Sequence, residues 1–428
     1  MTERIAPAAR LRGTLRLPGD KSISHRYAIL GALAEGETRI RNYATGADCR
    51  STLQCLRALG TPVETEGDEV VIQGRGLRGL RPSAEALDAG NSGSTMRLLA
   101  GVLAGQPFLT RLTGDASLTH RPMDRIVRPL RLMGAHVAAR EERFPPLEIR
   151  GGPLRAIEYE LPVASAQVKS CVLLAGLYAE GRTAVIEPVR TRDHTEVALR
   201  QFGADVEIVG RRISVTGWPR LEGRHLEVPG DLSSAAFFIA AALILPESEL
   251  VIEEVGLNPT RSALLDFLCS MGARIRILNL REQAGELVGD IQVRSSPLRG
   301  GVIEKAMTAA LIDEIPVLAV LGALSEEGLT VRDAAELRVK ESDRIATVAE
   351  NLRRLGASIE TSVDGFYVPG RQKLRGAALA SFGDHRIAMA FSIAALAAEG
   401  DSLLEGAEAA AVSLPEFFRL LGGLTHSA

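Results

Sequence analysis

Aromatic residues are scarce in this sequence, in which phenylalanine, tryptophan and tyrosine together make up 4% of the residues. Basic residues are not in excess either, because 50 lysines and arginines face 53 aspartates and glutamates, giving a net charge of −3. Proteins that bind nucleic acid usually combine a basic surface with aromatic side chains that stack on bases. The composition therefore argues against nucleic acid as a partner. It marks no partner surface, and we expect a monomer.

Cysteines and long apolar runs are also few. The four cysteines lack the paired spacing of a metal site and are typical of reduced thiols in a cytosol: Cys49, Cys55, Cys171 and Cys269. Residues 1–10 lack the apolar core of a signal peptide. The longest apolar run, Ala235–Leu245, is too short to span a bilayer. We therefore expect a cytoplasmic protein that does not enter a membrane.

A repeated pattern is present instead. At 428 residues the chain is too long for one ordinary core. Its recurring segment combines the end of an amphipathic helix, a glycine stop and a β-branched strand, and occurs at residues 55–63, 129–137, 198–206, 267–275 and 351–359, with a shortened copy at 417–424. Six copies favour two domains of three repeats each.

Each repeat also contains a polar cluster followed by a helix that is apolar nearly all round, a turn and a strand. Such helices must be buried within their domains. The polar clusters are Lys21 and Ser22, Asn91 and Ser92, Ser165 and Gln167, Asp231 and Ser233, Asp313 and Glu314, and residues 384–386. If the three buried helices of a domain run parallel, their positive ends gather at one face and favour an anion there.

The tripeptide PGD occurs twice, at 18–20 and at 229–231. We interpret both copies as points where the chain changes domain, near 19–21 and near 230–233. This predicts one domain from residues 1–19 plus 234–428 and a second from residues 20–233.

The stretch LPGDKSISHR, residues 17–26, shows the chemistry most clearly. Asp20 is a good N-cap residue, and Lys21, Ser22 and Arg26 bring two cations and a hydroxyl to the helix start. The phosphate loop of nucleotide hydrolases needs glycine directly before the lysine, and Asp20 occupies that place. The stretch therefore predicts a phosphate or carboxylate site of another kind, unless it is an ordinary surface helix.

Further motifs complete the pattern: GNSGSTMR (90–97), HRPM (120–123), ASAQVKS (164–170), TRDHTE (191–196), ELRVKESDR (336–344) and FGDHRIAMA (382–390). In this order, and over almost the whole chain, they resemble the 5-enolpyruvylshikimate-3-phosphate synthase family of 3-phosphoshikimate 1-carboxyvinyltransferases. The resemblance implies an α/β fold of two similar domains, each with three βαβαββ-type units and buried parallel helices. It also implies transfer of the enolpyruvyl group of phosphoenolpyruvate to the 5-hydroxyl of 3-phosphoshikimate, with release of phosphate.

The resemblance further implies two sets of binding residues. Those for 3-phosphoshikimate are Lys21, Ser22, Arg26, Ser165, Ala166, Gln167, Arg192, Asp313 and Lys340. Those around phosphoenolpyruvate are Lys21, Asn91, Gly93, Arg121, Gln167, Glu341, Arg344, His385 and Arg386. Two phosphates and two carboxylates need many cations, and the lysines and arginines of these sets can offset most of that charge without a metal or cofactor.

Enolpyruvyl transfer needs one group that takes a proton from the attacking hydroxyl and another that protonates the methylene carbon. Asp313 is the candidate base and Glu341 the candidate acid, with Lys21 and His385 as competitors for proton transfer or charge stabilisation. Other interpretations stay open. Asp313 could cap a helix, Glu341 could form a solvated i, i+3 pair with Arg344, and Asn91 with Gly93 could serve only a turn.

The sequence departs from the family pattern at a few positions. Val412 lies where many members have lysine, Ala166 offers only its backbone N–H where some have a second serine, and Glu336 and His194 replace asparagine and tyrosine. Lys169 and His194 are interpreted as structural or supporting residues. Members of the family also bind the herbicide glyphosate, and Gly93 predicts a sensitive enzyme because it leaves room beside the donor phosphate.

Two other functions compete with this one. A UDP-N-acetylglucosamine enolpyruvyl transferase typically has a reactive cysteine on a loop before an Arg-Pro pair, and residues 114–123 contain no cysteine. A catalytically silent scaffold built on the same repeats would have lost Lys21, Asp313 or Glu341, and all three are present.

Overall fold

The structure of the protein is a computed structural model that describes residues 1–427. The chain forms two compact units. Unit 1 contains residues 1–18, 229–282 and the described chain from 286 onward, and unit 2 contains residues 19–228 and 283–285. The chain passes from one unit to the other at Pro18/Gly19 and at Val228/Pro229, and residues 283–285 return briefly to unit 2. The domain boundaries expected from the sequence remain a prediction.

Six of the described helices begin at the predicted polar clusters. In chain order, the described helices are α1 (Lys21–Leu33), α2 (Ala47–Ala58), α3 (Gly93–Ala104), α4 (Asp124–Met133), α5 (Ala166–Gly176), α6 (His194–Gln201), α7 (Leu232–Ile244), α8 (Ala263–Ser270), α9 (Ala306–Leu311), α10 (Ile315–Leu324), α11 (Arg344–Arg354), α12 (His385–Leu396) and α13 (Phe417–Leu424). Side chains of the residues just before α1, α3, α5, α7, α11 and α12 accept a hydrogen bond from the first helical turn. Such caps satisfy backbone N–H groups that have no partner inside the helix.

The strands are short and follow the predicted repeat. They are β1 (Thr2–Ile5), β2 (Ala8–Arg16), β3 (Glu35–Arg41), β4 (Val63–Glu66), β5 (Glu69–Arg75), β6 (Leu87–Asp88), β7 (Leu109–Thr113), β8 (His136–Arg140), β9 (Phe144–Arg150), β10 (Leu154–Arg155), β11 (Glu158–Glu160), β12 (Ala179–Glu180), β13 (Arg182–Ile186), β14 (Val206–Val209), β15 (Arg212–Thr216), β16 (His225–Glu227), β17 (Glu249–Gly256), β18 (Arg274–Gln283), β19 (Glu286–Arg294), β20 (Gly301–Ile303), β21 (Leu329–Val331), β22 (Glu360–Thr361), β23 (Phe366–Val368), β24 (Ala378–Ala380), β25 (Ser402–Glu405) and β26 (Thr425–Ser427).

Sheet pairing confirms the βαβαββ unit. In the second repeat, β6 lies parallel to β7, and the hairpin β8–β9 adds antiparallel strands in the order β6-β7-β9-β8. The same order recurs as β11-β13-β15-β14 and as β20-β21-β23-β22. Helices α3, α5 and α10 lie between the first two strands of these repeats and are buried.

Two repeats obtain their first strand from a distant part of the chain. Strand β16 pairs parallel with β3, so the end of unit 2 completes its first repeat. In unit 1, strand β2 from the start of the chain pairs parallel with β17 and completes the first repeat of that unit. The last repeat differs further, because β1 rather than a hairpin strand pairs antiparallel with β25.

Each unit has its own apolar core around three buried helices. In unit 2, α3 packs against α1 and α5, and in unit 1 the helices α7, α10 and α12 pack against one another. Residues Leu232 to Leu243 of α7 are all buried. This confirms the prediction that helices apolar on all sides lie in the interior.

The cysteines are free thiols, and Cys269 is exposed whereas the other three are buried. Burial is the main cause that raises the pKa of the Cys55 thiol to about 12. Cys49 is buried although its sequence surroundings are polar. Within residues 1–427, no helix is both long and apolar enough to cross a membrane.

Candidate active site

Unit 2 gathers cations around the starts of α1, α3, α5 and α6. Lys21, the first residue of α1, places its Nζ 2.8 Å from Asp48 Oδ2. Arg26, one turn further, is buried and donates from Nε to Thr195 Oγ1 at 2.6 Å and from Nη2 to Ser170 Oγ at 2.8 Å. These contacts fix the directions of two side chains that the sequence assigned to substrate binding.

His25, between these cations, is not an acid–base group. Burial, together with the positive charges of Lys21 and Arg26, lowers its pKa from 6.5 to about 3. Its Nδ1 lies 2.7 Å from Thr52 Oγ1, which lies 2.7 Å from Thr95 Oγ1. The imidazole is therefore neutral near pH 7 and links α1 to α2 and α3.

The loop before α3 holds Arg121 at the same end of the helix. Asn91 accepts from Arg121 through its side-chain oxygen at 2.7 Å and its carbonyl at 3.2 Å, and donates to Asp115 Oδ2 at 2.7 Å. Arg121 is buried. Asn91 thus orients a guanidinium, which a residue serving only a turn would not do.

Gly93, the first residue of α3, faces two guanidinium groups. A Cβ atom at this position would lie 2.7 Å from Arg97 Nη1 and 3.7 Å from Arg121 Nη1. The Arg97 guanidinium therefore occupies part of the space beside Gly93 that was expected to be open for a ligand. Arg97 Nη1 donates to Gln167 Oε1 at 2.6 Å, and Gln167 Nε2 donates to Ser94 Oγ at 2.9 Å.

The start of α5 contributes the remaining predicted groups of unit 2. Ser165 caps the helix by accepting from Val168 N at 3.4 Å, and Ala166 is its first residue. Arg192 lies in the loop between β13 and α6 and is half-buried. Ser22 supplies its carbonyl to Arg26 Nη1 at 2.8 Å.

In unit 1, the two predicted catalytic carboxylates, Asp313 and Glu341, both form ion pairs with one buried arginine. Arg344 has a side chain that is 1% exposed. Its Nη2 lies 2.7 Å from Glu341 Oε2 and its Nη1 lies 3.6 Å from Asp313 Oδ1. Both carboxylates keep 18% of their side-chain surface exposed. The Glu341–Arg344 pair is therefore not a solvated pair on a helix face.

The carboxylate of Asp384 forms two hydrogen bonds with the guanidinium of Arg344. Its two oxygens accept from Arg344 Nε at 2.8 Å and Nη2 at 3.2 Å, and Oδ1 also accepts from the backbone N of Arg386 at 2.9 Å. Burial alone would lower the pKa of Arg344. The nearby carboxylates, of which Asp384 has the largest effect, raise the pKa of Arg344 instead. Burial alone would raise the pKa of Asp384, and Arg344 lowers it instead. Both groups are therefore ionised near pH 7.

Asp313 does not cap a helix. It lies between α9 and α10, and the N-cap residue of α10 is Glu314. Its carboxylate lies 3.6 Å from Lys340 Nζ, and its carbonyl accepts from Arg386 Nη1 at 2.9 Å. Arg386 is buried. His385, the first residue of α12, is also buried.

The structure adds charged residues that sequence reasoning missed. Asp48 pairs with Lys21, and Arg97 bonds to Gln167. Arg261 lies 3.5 Å from Asp231 Oδ1 and 3.9 Å from Glu314 Oε1, joining the starts of α7 and α10. Arg97 ends the motif GNSGSTMR and could have been found there, whereas Arg261 lies outside every motif. Within residues 1–427, no three His, Cys, Asp or Glu side chains are grouped as a metal site.

Known proteins resemble this chain over almost its whole length. The family model for EPSP synthase (3-phosphoshikimate 1-carboxyvinyltransferase) matches residues 5–421. The 3-phosphoshikimate 1-carboxyvinyltransferase of Solibacter usitatus is 64% identical over 98% of this chain and 99% of its own length. That of Koribacter versatilis is 54% identical over 98% of each chain.

Solved structures show the same fold. An EPSP synthase from Acinetobacter baumannii superposes with a TM-score of 0.88 at 44% identity, covering 100% of this chain and 98% of the other. The expected α/β fold of repeated units is therefore confirmed, and the chain belongs to the EPSP synthase (3-phosphoshikimate 1-carboxyvinyltransferase) family.

Proposed function

We propose that this protein transfers the enolpyruvyl group of phosphoenolpyruvate to the 5-hydroxyl of 3-phosphoshikimate and releases phosphate. The names of its relatives support this activity. A cytoplasmic location and a monomeric state remain predictions.

The observation that carries the proposal is the joint attachment of Asp313 and Glu341 to Arg344. The reaction needs two proton-transfer groups near one centre, and this arginine lies 3.6 Å from the first carboxylate and 2.7 Å from the second. Because each carboxylate is partly exposed, each can reach a bound substrate. A silent scaffold would have no need to hold two carboxylates in this way.

The proposed chemistry needs one group that takes a proton and another that donates one. The 5-hydroxyl oxygen attacks C2 of phosphoenolpyruvate, and Asp313 takes the hydroxyl proton. Glu341, Lys21 or His385 donates a proton to the methylene carbon, which gives a tetrahedral intermediate. Loss of a proton from the new methyl group and departure of phosphate then restore the double bond.

The cations of unit 2 supply the binding part of the proposal. Arg26 and Arg192 would hold the phosphate of 3-phosphoshikimate with Ser165 and Gln167, and Arg121 would hold phosphoenolpyruvate beside Gly93. Guanidinium groups suit phosphate and carboxylate because they form two parallel hydrogen bonds. Lys21 would contact both substrates.

Arg344 and Arg386 have a more limited role than the sequence implied. Their side chains already contact Asp384, Glu341, Glu314 and the carbonyl of Asp313. We therefore propose that they bind phosphoenolpyruvate while keeping these partners. Their first effect is to hold Asp313 and Glu341 in place.

A phosphate-release assay tests the proposal with two acceptors. Phosphoenolpyruvate plus 3-phosphoshikimate should release phosphate, whereas phosphoenolpyruvate plus UDP-N-acetylglucosamine should not. Asp313→Asn is the control for contaminating phosphatase, because background hydrolysis does not depend on Asp313. Phosphate release with UDP-N-acetylglucosamine but not with 3-phosphoshikimate would assign the protein to enolpyruvyl transfer onto the sugar nucleotide. The absence of release with either acceptor would refute the proposed activity.

A further inference from the structure

Lys169 is a lysine with no exposed surface in the interior of α5. Its side chain is 0% exposed, and its Nζ lies 3.1 Å from Glu187 Oε1 and 2.7 Å from Glu196 Oε1. Both carboxylates are themselves 2% exposed. Removing three charges from water costs much free energy, so the cluster is stable only because its members pair closely.

The two carboxylates bracket the loop that carries Arg192. Glu187 follows β13 directly, and Glu196 lies in the first turn of α6. Glu187 also accepts from the backbone N of Thr191 at 3.2 Å and from the Thr191 hydroxyl. One ammonium group therefore holds both ends of the loop, and Glu187 also holds the residue beside Arg192.

The neighbours of this cluster hold Arg26. Ser170, next to Lys169, and Thr195, next to Glu196, have hydroxyl oxygens 2.5 Å apart. Arg26 donates to both hydroxyls, at 2.8 Å and 2.6 Å. The junction of α5 and α6 that Lys169 joins therefore also fixes the direction of Arg26.

We propose that Lys169 is a positioning residue for the acceptor phosphate, acting through Arg192 and Arg26 from a buried site that substrate does not reach. The inference rests on the proposed function, because the phosphate is that of 3-phosphoshikimate. Burial raises the pKa of Glu196, and Lys169 opposes that effect by pairing with it. Without the lysine, Glu187 and Glu196 would lose their shared partner, and the loop would lose the restraint at its two ends.

The test is a comparison of Michaelis constants for the two substrates. In Lys169→Met, we expect the KM for 3-phosphoshikimate to rise about tenfold or more, since charge-assisted contacts to phosphate depend on geometry. The KM for phosphoenolpyruvate should change by less than about twofold, because three of its predicted cationic contacts, Arg121, Arg344 and Arg386, lie outside the Lys169 junction. A purely structural role would lower the fraction of active enzyme and reduce kcat without separating the two KM values.

Arg182→Met is a matched control in the same unit. Arg182 also bridges two carboxylates, Asp205 at 2.6 Å and Glu207 at 2.5 Å, but on the surface and away from the loop. It should leave both KM values unchanged. Equal effects of the two variants on the KM for 3-phosphoshikimate would overturn the proposal.

A mutant cycle with Arg192→Met adds a second readout. If Lys169 acts through Arg192, then Lys169→Met should raise the KM less in the Arg192→Met background than in the native protein. Full additivity would contradict action through Arg192. If Lys169→Met does not fold, Glu187→Ala replaces it, because that variant keeps the Lys169–Glu196 pair and removes only the contacts of Glu187 with Lys169 and Thr191.

Glu187→Ala should raise the KM for 3-phosphoshikimate selectively, and an unselective loss would refute the proposal. Turnover by the native protein distinguishes failure of the inference from failure of the proposed function. A native protein that turns over 3-phosphoshikimate while its variants show no selective KM change refutes only the role of Lys169. A native protein without turnover refutes the function itself.

Discussion

Asp384→Asn is the perturbation whose effect the structure fixes most closely. The side chain of Asp384 is buried, accepts two hydrogen bonds from Arg344 and one from Ser342 Oγ at 3.1 Å, and caps α12. Asparagine keeps the shape and remains a good N-cap residue. The variant therefore removes the charge that balances Arg344, and its Nδ2 replaces one of the two oxygens that accept from Arg344.

The magnitude follows from what Arg344 retains. Removing one partner of a buried ion pair costs about 3–5 kcal/mol. Because Arg344 keeps Glu341 at 2.7 Å and Asp313 at 3.6 Å, we expect about 2–3 kcal/mol here. For a unit of about 200 residues, 1 kcal/mol corresponds to about 2–4 °C, so the transition of unit 1 should fall by about 4–12 °C.

Differential scanning calorimetry at pH 7 measures this shift, with Asp401→Asn as the matched control. Asp401 pairs with Arg4 at 2.5 Å, but the two side chains are 40% and 73% exposed. Such surface pairs contribute about 0–1 kcal/mol. Equal transitions for the two variants would refute the claim that Asp384 balances a buried guanidinium.

The pH dependence adds a check of sign. Arg344 lowers the pKa of Asp384 in the folded state, so the pair stabilises unit 1 above the unfolded pKa of aspartate, about 3.9. That stability is lost only as the pH falls through the lowered folded pKa. The difference between native and Asp384→Asn transitions should therefore be constant from about pH 8 to about pH 5. A difference that vanishes by pH 5 would contradict an ionised Asp384.

Other predictions concern activity. Asp313→Asn should keep the fold and substrate binding but lower kcat by about 10²- to 10⁴-fold, the usual contribution of a general base, and an unchanged kcat would remove Asp313 from the mechanism. Lys21→Met should reduce kcat/KM more than Asp313→Asn does, because it removes a cation proposed to contact both substrates and leaves Asp48 without its ion pair at 2.8 Å; a smaller loss would show that Lys21 serves only one substrate. Gly93→Ala should raise the inhibition constant of glyphosate more than the KM of phosphoenolpyruvate, since the new methyl group would displace Arg97 Nη1, which lies 2.7 Å from its position. Inhibition constants for both proteins check this, and a native enzyme indifferent to glyphosate, or a variant no more resistant than the native enzyme, would contradict it.

Local patterns explain why the helix starts were predictable. Asp20, Asp231 and Asp384 each precede an apolar run, and each caps the helix that follows. A cap and an apolar stretch lie within a few residues of each other, so sequence alone contains both. The repeats added the alternation of helices and strands within each unit, because the same pattern occurs several times in the sequence.

Ion pairs between distant residues were not predictable in the same way. Glu341 and Arg344 look like an ordinary pair on a helix surface, whereas Arg344 is buried and also pairs with Asp384, 40 positions away. Lys169 meets Glu187 and Glu196 through packing that no local pattern encodes. The identities of the site residues were therefore accessible from motifs, whereas their partners required the fold.

The roles of the buried cations follow from those partners. Arg386 was predicted as a contact to phosphoenolpyruvate, and the structure adds its hydrogen bond to the carbonyl of Asp313. Gly93 was predicted to leave open space, and the structure fills part of it with Arg97. In both cases a long flexible side chain reaches a position that residue type and spacing cannot specify.

The most direct test of the central claim is a stoichiometric one. Phosphorus NMR of the protein with phosphoenolpyruvate and 3-phosphoshikimate in D₂O follows both substrates and the released phosphate at once, and proton NMR follows the vinyl methylene. We predict one phosphate released for each 3-phosphoshikimate consumed, with deuterium in the methylene group of the product because a proton is added there and one is lost. Phosphate release without consumption of 3-phosphoshikimate would contradict enolpyruvyl transfer, and a product free of deuterium would contradict the tetrahedral intermediate.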